Sequence, residues 1–389
     1  MHFFISAGEP SGDLHAANLA RAFYDYDPST VVVGFGGSRL AATGANLLYP
    51  LAQNAVMGFL HVLPSLRTYI DRLDQADDYF HRYRPDALIM IDYPGFHWWL
   101  ARCAKRRGIP VYYFVPPQLW AWGGWRVRKM RRLVDFVICS LPFEVRWFAS
   151  RGLRAVYFGH PFFDEMSRRP ANEQRVAALR RLGRPIVALL PGSRKQEISM
   201  NWASLLEAAR RIRHEVPTAH FLVAAYSDSH ASLVRQSLPP GERSFTVLHA
   251  ETPEAIAACD LSLAVSGSVS LELLNALKPS MILYRITRLQ YILKSIFMKV
   301  RYMSLVNLLG NDEIYPEYLS IGCPGSEMAE RALRWIRTPR ELEPMRDRLR
   351  ALRDRLAVPG ACAKAAQFIL ETSRKLPVSS VAISSGSRS

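Results

Sequence analysis

Ala188-Leu189-Leu190-Pro191-Gly192-Ser193-Arg194-Lys195-Gln196-Glu197 is the stretch from which the fold can be read. The apolar run Ile186 to Leu190 has the length of a buried strand and stops at Pro191-Gly192. Polar residues follow at once, and helical periodicity sets in from about Trp202. A strand that passes through glycine into a helix is the βα unit of a parallel sheet. Such a turn places backbone N–H groups at the positive end of the helix dipole, where a phosphate or diphosphate is held. Arg194 adds a planar fork matched to phosphate oxygens. An ordinary βα turn with a surface arginine has the same local sequence, so the rest of the chain has to decide.

The same alternation extends in both directions. His2 to Ser6, Val31 to Gly36, Ala87 to Ile91, Val111 to Val115, Phe136 to Ser140 and Ala155 to Phe158 read as strands, with a helix over Asp13 to Tyr24. After an Arg-rich passage the series restarts with Ile186 to Leu190, His220 to Ala225, Phe245 to Leu248 and Leu261 to Val265. Two such runs predict an α/β protein of two doubly wound parallel-sheet domains, joined near residues 163 to 184. The expected boundaries are 1–168 and 169–345, then a helical segment 346–375 and a Ser-rich, disordered tail 376–389. Ligands of such sheets bind beyond the carboxyl ends of the strands. That brings forward the loops 7–13, 92–97, 191–197 and 266–272.

The chain has 389 residues, 49% of them hydrophobic, and a formal net charge of +16. That length calls for more than one core, and that charge favours anionic partners: nucleic acid, an anionic lipid surface or a phosphorylated substrate. The five cysteines are scattered without a C-x-x-C pair, which speaks against a zinc site or disulfide framework and for a reducing compartment. No signal peptide is read at Met1 to Glu9, and no run approaches the roughly 18 apolar residues of a membrane span. The expected location is the cytosol, peripheral to a membrane.

Within the loops, Gly8, Glu9, Ser11, Gly12 and Asp13 follow a strand and open a helix, with Ser11 or Asp13 suited to cap it. Asp92 stands at the carboxyl end of a strand in apolar and aromatic company, which suits a general base with a raised pKa; a plain turn aspartate before Pro94-Gly95 is the simpler alternative. Pro116 to Trp125 carries Trp120 and Trp122 and is trailed by Arg126, Arg128, Lys129, Arg131 and Arg132, a setting for a sugar beside a phosphate, an amphiphile head group or stacked bases. Ser266-Gly267-Ser268 enters a helix over Leu271 to Leu277, with Glu272 one turn in and suited to a ribose. Apolar residues recur with helical spacing from Leu289 to Val300 among cations, as in a helix packed on a core or lying in a lipid interface. Val56 to Leu63, including Met57, forms an apolar patch compatible with acyl chains.

The set Ala7 to Asp13, Ala55-Val56-Met57-Gly58, Asp92 to Phe96, Trp120-Ala121-Trp122, Leu141-Pro142-Phe143-Glu144, Gly159-His160-Pro161, Leu190 to Arg194, Ser266-Gly267-Ser268 and Ser304 to Leu308 resembles, in order, the lipid-A-disaccharide synthases, the family 19 glycosyltransferases. The resemblance spans about residues 3 to 320. It implies a GT-B fold, two Rossmann-like domains facing a central cleft, with the acceptor on the N-terminal side and the UDP-sugar on the C-terminal side. It implies an inverting transfer of 2,3-diacylglucosamine from UDP to 2,3-diacylglucosamine 1-phosphate, giving a β-1,6-linked disaccharide 1-phosphate and UDP, with no metal or other cofactor. By motif, Asp92 matches the family's base and Arg194 its diphosphate-directed arginine. Gly192, Ser193, Ser266, Gly267, Ser268 and Glu272 match nucleotide contacts. Asn307 matches the family's cleft asparagine, and Gly8, Glu9, Ser11, Asp13, Met57, Trp120 and Trp122 match substrate contacts. The implied partners are the two lipid substrates and the anionic inner leaflet of the cytoplasmic membrane; nucleic acid is not expected, and homodimerisation stays open.

Three departures mark this chain: Ser268 where many members have threonine, Gly95 where some carry a second carboxylate, and Gly123-Gly124-Trp125 before the basic run. The sequence also admits two rival readings. One is a UDP-sugar epimerase, or a glycosyltransferase with another acceptor, and the other a non-catalytic basic protein bound to membrane or RNA.

Overall fold

The computed structural model describes residues 1–52, 62–121, 123–288 and 301–375. Two compact units emerge, Met1–Glu165 with the chain from Val358 onward, and Met166–Ala357.

The first unit is built on strands β1 (His2–Ala7), β2 (Val31–Phe35), β3 (Asn46–Tyr49), β4 (Ala87–Ile91), β5 (Val111–Phe114), β6 (Phe136–Cys139) and β7 (Ala155–Tyr157). They form one parallel sheet in the order β3-β2-β1-β4-β5-β6-β7. The second unit carries β8 (Ile186–Leu190), β9 (His220–Ala225), β10 (Phe245–His249), β11 (Leu261–Val265), β12 (Ser280–Arg285) and β13 (Glu317–Ser320). Its parallel sheet runs β10-β9-β8-β11-β12-β13. Both are Rossmann-like, and two such units make the GT-B type of fold. Central strands are apolar without alternation because helices cover both faces, and every residue of β4 is fully buried.

Each sheet reverses its winding at one place, between β1 and β4 and between β8 and β11. The four loops singled out from sequence leave the carboxyl ends of those four strands. β3, β12 and β13 were not anticipated; β3 and β13 are edge strands whose residues are only partly buried. The helix after β8 begins at Lys195, seven residues ahead of the expected start, and runs to Glu215. The passage read as a linker holds two short helices, Pro161–Arg168 and Glu173–Leu179.

Residues 346–375, read from sequence as one helical segment, divide between the units. The helix Glu343–Leu356 stays with the second, and Ala361–Lys375 returns to the first. There Ala365, Ala366 and Ile369 join the cluster of Phe3, Leu19 and Phe23. The returning helix is fastened at its start by Asp164, whose buried carboxylate accepts the N–H groups of Gly360 (2.5 Å), Ala361 (3.2 Å) and Cys362 (2.7 Å). This is an N-cap supplied from a distant part of the chain. No described helix is long and apolar enough to cross a membrane.

Replacing Asp164 by Ala strands those buried donors and is expected to cost about 1–3 kcal/mol. Chemical denaturation should show the loss, with hydrogen exchange accelerated first along Ala361–Lys375; unchanged protection there would refute the capping role.

Candidate active site

In the first unit the site starts from Gly8. A Cβ at this position would lie 2.2 Å from Cγ of Tyr93, so only glycine lets the β1 loop and the β4 loop close on each other. The following helix, Pro10–Tyr26, has Pro10 in its first turn and Glu9 as N-cap without a side-chain cap bond. Neither Ser11 nor Asp13 supplies the cap expected of them. Asp13 is buried and turned to the β2 loop, where its carboxylate accepts the N–H groups of Gly37 (2.6 Å), Arg39 (3.0 Å) and Leu40 (3.2 Å). Its part is to shape the loop, while the exposed Ser11 and half-buried Glu9 lie at the mouth.

After β4 the chain makes two successive left-handed residues, Asp92 (φ 55°) and Tyr93 (φ 47°), before the helix Pro94–Arg106. Non-glycine residues take this conformation at a cost of about 1–3 kcal/mol each, and it persists only where the surroundings over-determine it. Here they do. The Asp92 carbonyl accepts the Tyr113 hydroxyl at 2.7 Å and a His97 ring nitrogen, Nδ1, at 2.6 Å. Because a carbonyl only accepts, His97 carries its proton on Nδ1, and Nε2 accepts the Ser6 hydroxyl at 2.8 Å. Burial, opposed by the bond to the Asp92 carbonyl, lowers the His97 pKa to about 4, so the ring is neutral. The half-exposed Asp92 carboxylate takes the Tyr93 N–H at 2.9 Å. Tyr93 in turn meets the Tyr69 hydroxyl at 2.5 Å, and burial raises its phenol well above the ordinary range.

Trp120 is held on the β5 side. Its indole N–H donates to Glu144 at 2.9 Å, and the same buried carboxylate accepts the N–H groups of Ser140 (3.1 Å) and Leu141 (3.0 Å). Burial dominates over these bonds and lifts the Glu144 pKa to about 7. Met57 and Trp122 lie outside the described residues, as does the basic helix read over 289–300.

In the second unit, Gly192 has φ +111°, and a Cβ there would collide with the Glu197 carboxylate at 2.5 Å. Glu197 is the surprise of this loop. It accepts the N–H groups of Ser193 (2.9 Å) and Arg194 (3.2 Å), the donors expected to hold an anion, and pairs with the Arg194 guanidinium at 2.9 Å. Glu197 stands three residues after the N-cap, the acidic half of a capping box, but the N-cap is Arg194 and makes no side-chain cap bond. Ser193 and Arg194 are exposed.

Beside it, the β11 loop exposes Gly267 and Ser268 at the start of the helix Val269–Asn275, with Glu272 half-buried. The helix starts two residues earlier than expected and has only seven, so its dipole is far weaker than that of Lys195–Glu215. Ser266 donates its hydroxyl to the Met303 carbonyl at 3.2 Å. Asn307, expected to reach substrate, is fully buried and spends all its side-chain bonds internally. Nδ2 donates to the Tyr315 carbonyl (2.7 Å) and Glu317 (2.8 Å), and Oδ1 accepts the N–H groups of Ile314 (2.9 Å) and Tyr315 (2.8 Å). These bonds tie the helix start at Asn307 to the chain at Ile314 to Glu317. The structure therefore brings together Gly8 with the Asp92 loop in one unit, and Gly192 to Arg194 with the β11 loop at the winding reversal of the other.

The family model for lipid-A-disaccharide synthetase matches residues 3–371. The chain belongs to this family. It is a glycosyltransferase of the lipid A biosynthetic type. Among its relatives, the lipid-A-disaccharide synthase of Myxococcus xanthus (strain DK1622) is 34% identical over 94% of this chain and 96% of its own. That of Syntrophus aciditrophicus (strain SB) is 32% identical over 95% and 97%. Among solved structures, the UDP co-structure of S. aureus MnaA aligns with a TM-score of 0.66 at 13% identity, covering 96% of this chain and 97% of that one. UDP-GlcNAc 2-epimerase from Neisseria meningitidis, bound to UDP-GlcNAc, gives 0.62 at 12% identity over 96% and 100%. At such identity these structures speak for the fold alone.

Two measurements probe the carboxylates. Glu144 binds its proton more tightly folded than unfolded, so its contribution is full below about pH 4.5 and is lost as pH rises through about 7. Wild type should therefore lose about 2–3 kcal/mol more than E144Q between about pH 5 and 8, read from denaturation curves; parallel profiles would contradict the assignment. At the other loop, Glu197→Gln keeps an acceptor for the N–H groups but removes the competing charge. UDP should then bind about threefold to tenfold more tightly by calorimetry, whereas weaker binding would mean that the charge helps rather than competes.

Proposed function

We propose that the chain moves a 2,3-diacylglucosamine residue from UDP to 2,3-diacylglucosamine 1-phosphate. The products would be the β-1,6-linked lipid A disaccharide 1-phosphate and UDP. Family membership over residues 3–371 supports the general reaction. The observation that carries the chemistry is the strained Asp92 turn, because strain of this kind is retained where a group must be aimed.

Asp92 takes the proton of the acceptor's primary hydroxyl as that oxygen attacks the anomeric carbon of the donor. The C–O bond to UDP breaks on the opposite face, and the configuration inverts. Arg194, preceding the long helix Lys195–Glu215, stabilises the charge that develops on the diphosphate. Glu197 yields its hold on Ser193 and Arg194 to phosphate oxygens when UDP-sugar binds. Gly267, Ser268 and Glu272 contact the nucleotide, Glu9, Ser11 and Trp120 the acceptor side, and Asp13, Gly8 and Asn307 set the loops. The site of action would be the inner leaflet of the cytoplasmic membrane, where both lipid substrates reside.

Incubation with UDP-2,3-diacylglucosamine and the monosaccharide 1-phosphate, read by mass spectrometry, should yield the disaccharide; UDP release without it would indicate a different acceptor. Asp92→Asn should lower turnover by at least about a hundredfold with UDP-sugar affinity retained, and near-normal turnover would remove Asp92 as base.

A further inference from the structure

The helix Pro94–Arg106 buries Phe96, His97, Trp98, Leu100 and Ala101 and leaves Trp99 outside, 53% exposed. Trp125, in the turn Gly124–Arg126, is 75% exposed. Large indoles in water are costly, and exposed aromatics gathered on one face mark an interaction surface. These two are joined by cations. The Arg102 guanidinium lies 4.6 Å from the Trp99 ring centre, the Lys129 ammonium reaches the same ring at 5.9 Å, and Arg126 covers Trp125 at 5.3 Å. Burial, and then the charges of Arg102 and Arg126, lower the Lys129 pKa. Two nearby acids are engaged elsewhere, Asp135 with Lys105 and Asp77 with Arg106 and Arg107.

We propose that this tryptophan–cation face is where the protein meets an anionic phospholipid leaflet, its indoles at the boundary of head groups and acyl chains and its cations on lipid phosphates. Amphipathic indoles favour that boundary, and basic side chains are drawn to anionic lipid. Stacked nucleic-acid bases fit less well, because cations occupy the ring faces on which bases would lie. The proposal rests on the reading that the substrates are membrane lipids, and it adds a location. Trp99 belongs to the helix that begins beside Asp92, so a membrane bound there lies near the acceptor loop of the same unit.

The test is flotation of the full chain with phosphatidylcholine vesicles, with and without phosphatidylglycerol, together with quenching of tryptophan fluorescence by brominated lipid. Wild type should float with the anionic vesicles and be quenched. Trp99→Ala/Trp125→Ala should lose roughly tenfold in partitioning and most of the quenching. Arg102→Gln and Lys129→Gln should each lose roughly fivefold, at about 1 kcal/mol per basic residue near the surface. Wild-type failure to float, or a double tryptophan variant that floats and quenches normally, overturns the proposal. So does single-stranded RNA that binds wild type more tightly than the vesicles do and is lost in the same variants. Disaccharide formation from detergent-dispersed substrates should persist in the tryptophan variant; its absence in wild type would fault the proposed reaction without touching the vesicle result.

Discussion

A parallel strand can be followed only by a crossover, and successive right-handed crossovers must proceed across the sheet in one direction until the winding reverses. In this chain the reversals fall between β1 and β4 and between β8 and β11. At those places neighbouring loops leave in opposite directions and leave a gap between them. Nothing else about the site is possible without this constraint. It explains why Gly8 and Tyr93, far apart in sequence, are in contact. It also explains why Asp92 and Arg194, the residues proposed to carry the chemistry, stand one and four residues past a strand end.

The loops around these gaps are held by one repeated device. Asp13, Glu144, Asp164, Glu197 and Glu317 each present a carboxylate to backbone N–H groups of a loop or helix start. An acceptor shared by two or three amides fixes the backbone rather than a side chain, and where it is charged each bond is worth more than a neutral one. Asp92 is treated differently. His97 and Tyr113 hold it through its carbonyl, while its carboxylate accepts only the N–H of the adjoining Tyr93 among the backbone donors described.

Much of this was legible in the sequence. Ala87–Ile91, Ile186–Leu190, His220–Ala225 and Leu261–Val265 were read to the residue, because strands covered on both faces must be apolar throughout. The edge strands β3 and β13 carry mixed residues and gave no such run. β12 does carry an apolar run, Met281 to Tyr284, but one of only four residues. The start at Lys195 was missed because apolar periodicity reports the buried stripe of a helix, whereas its first turn is polar and is set by Glu197. Asn307 illustrates a further limit. A motif places a residue near a site but does not say which way its side chain points, and here every bond points inward.

The same hydrogen bonds bear on which group near the β4 loop can accept a proton. Histidine is the usual first choice for such a role, and His97 is close at hand. Yet its Nδ1 proton is committed to the Asp92 carbonyl, its Nε2 lone pair to Ser6, and burial holds its pKa near 4. Protonating it would reverse the Ser6 bond and place a charge in a sealed core. Tyr93 is no better, since burial raises its phenol and keeps it protonated. Both neighbours are thus fixed in neutral forms that support the turn. Asp92, half-exposed at the end of β4, combines access to solvent with a carboxylate oxygen, whereas the His97 lone pair is engaged by Ser6 inside the core.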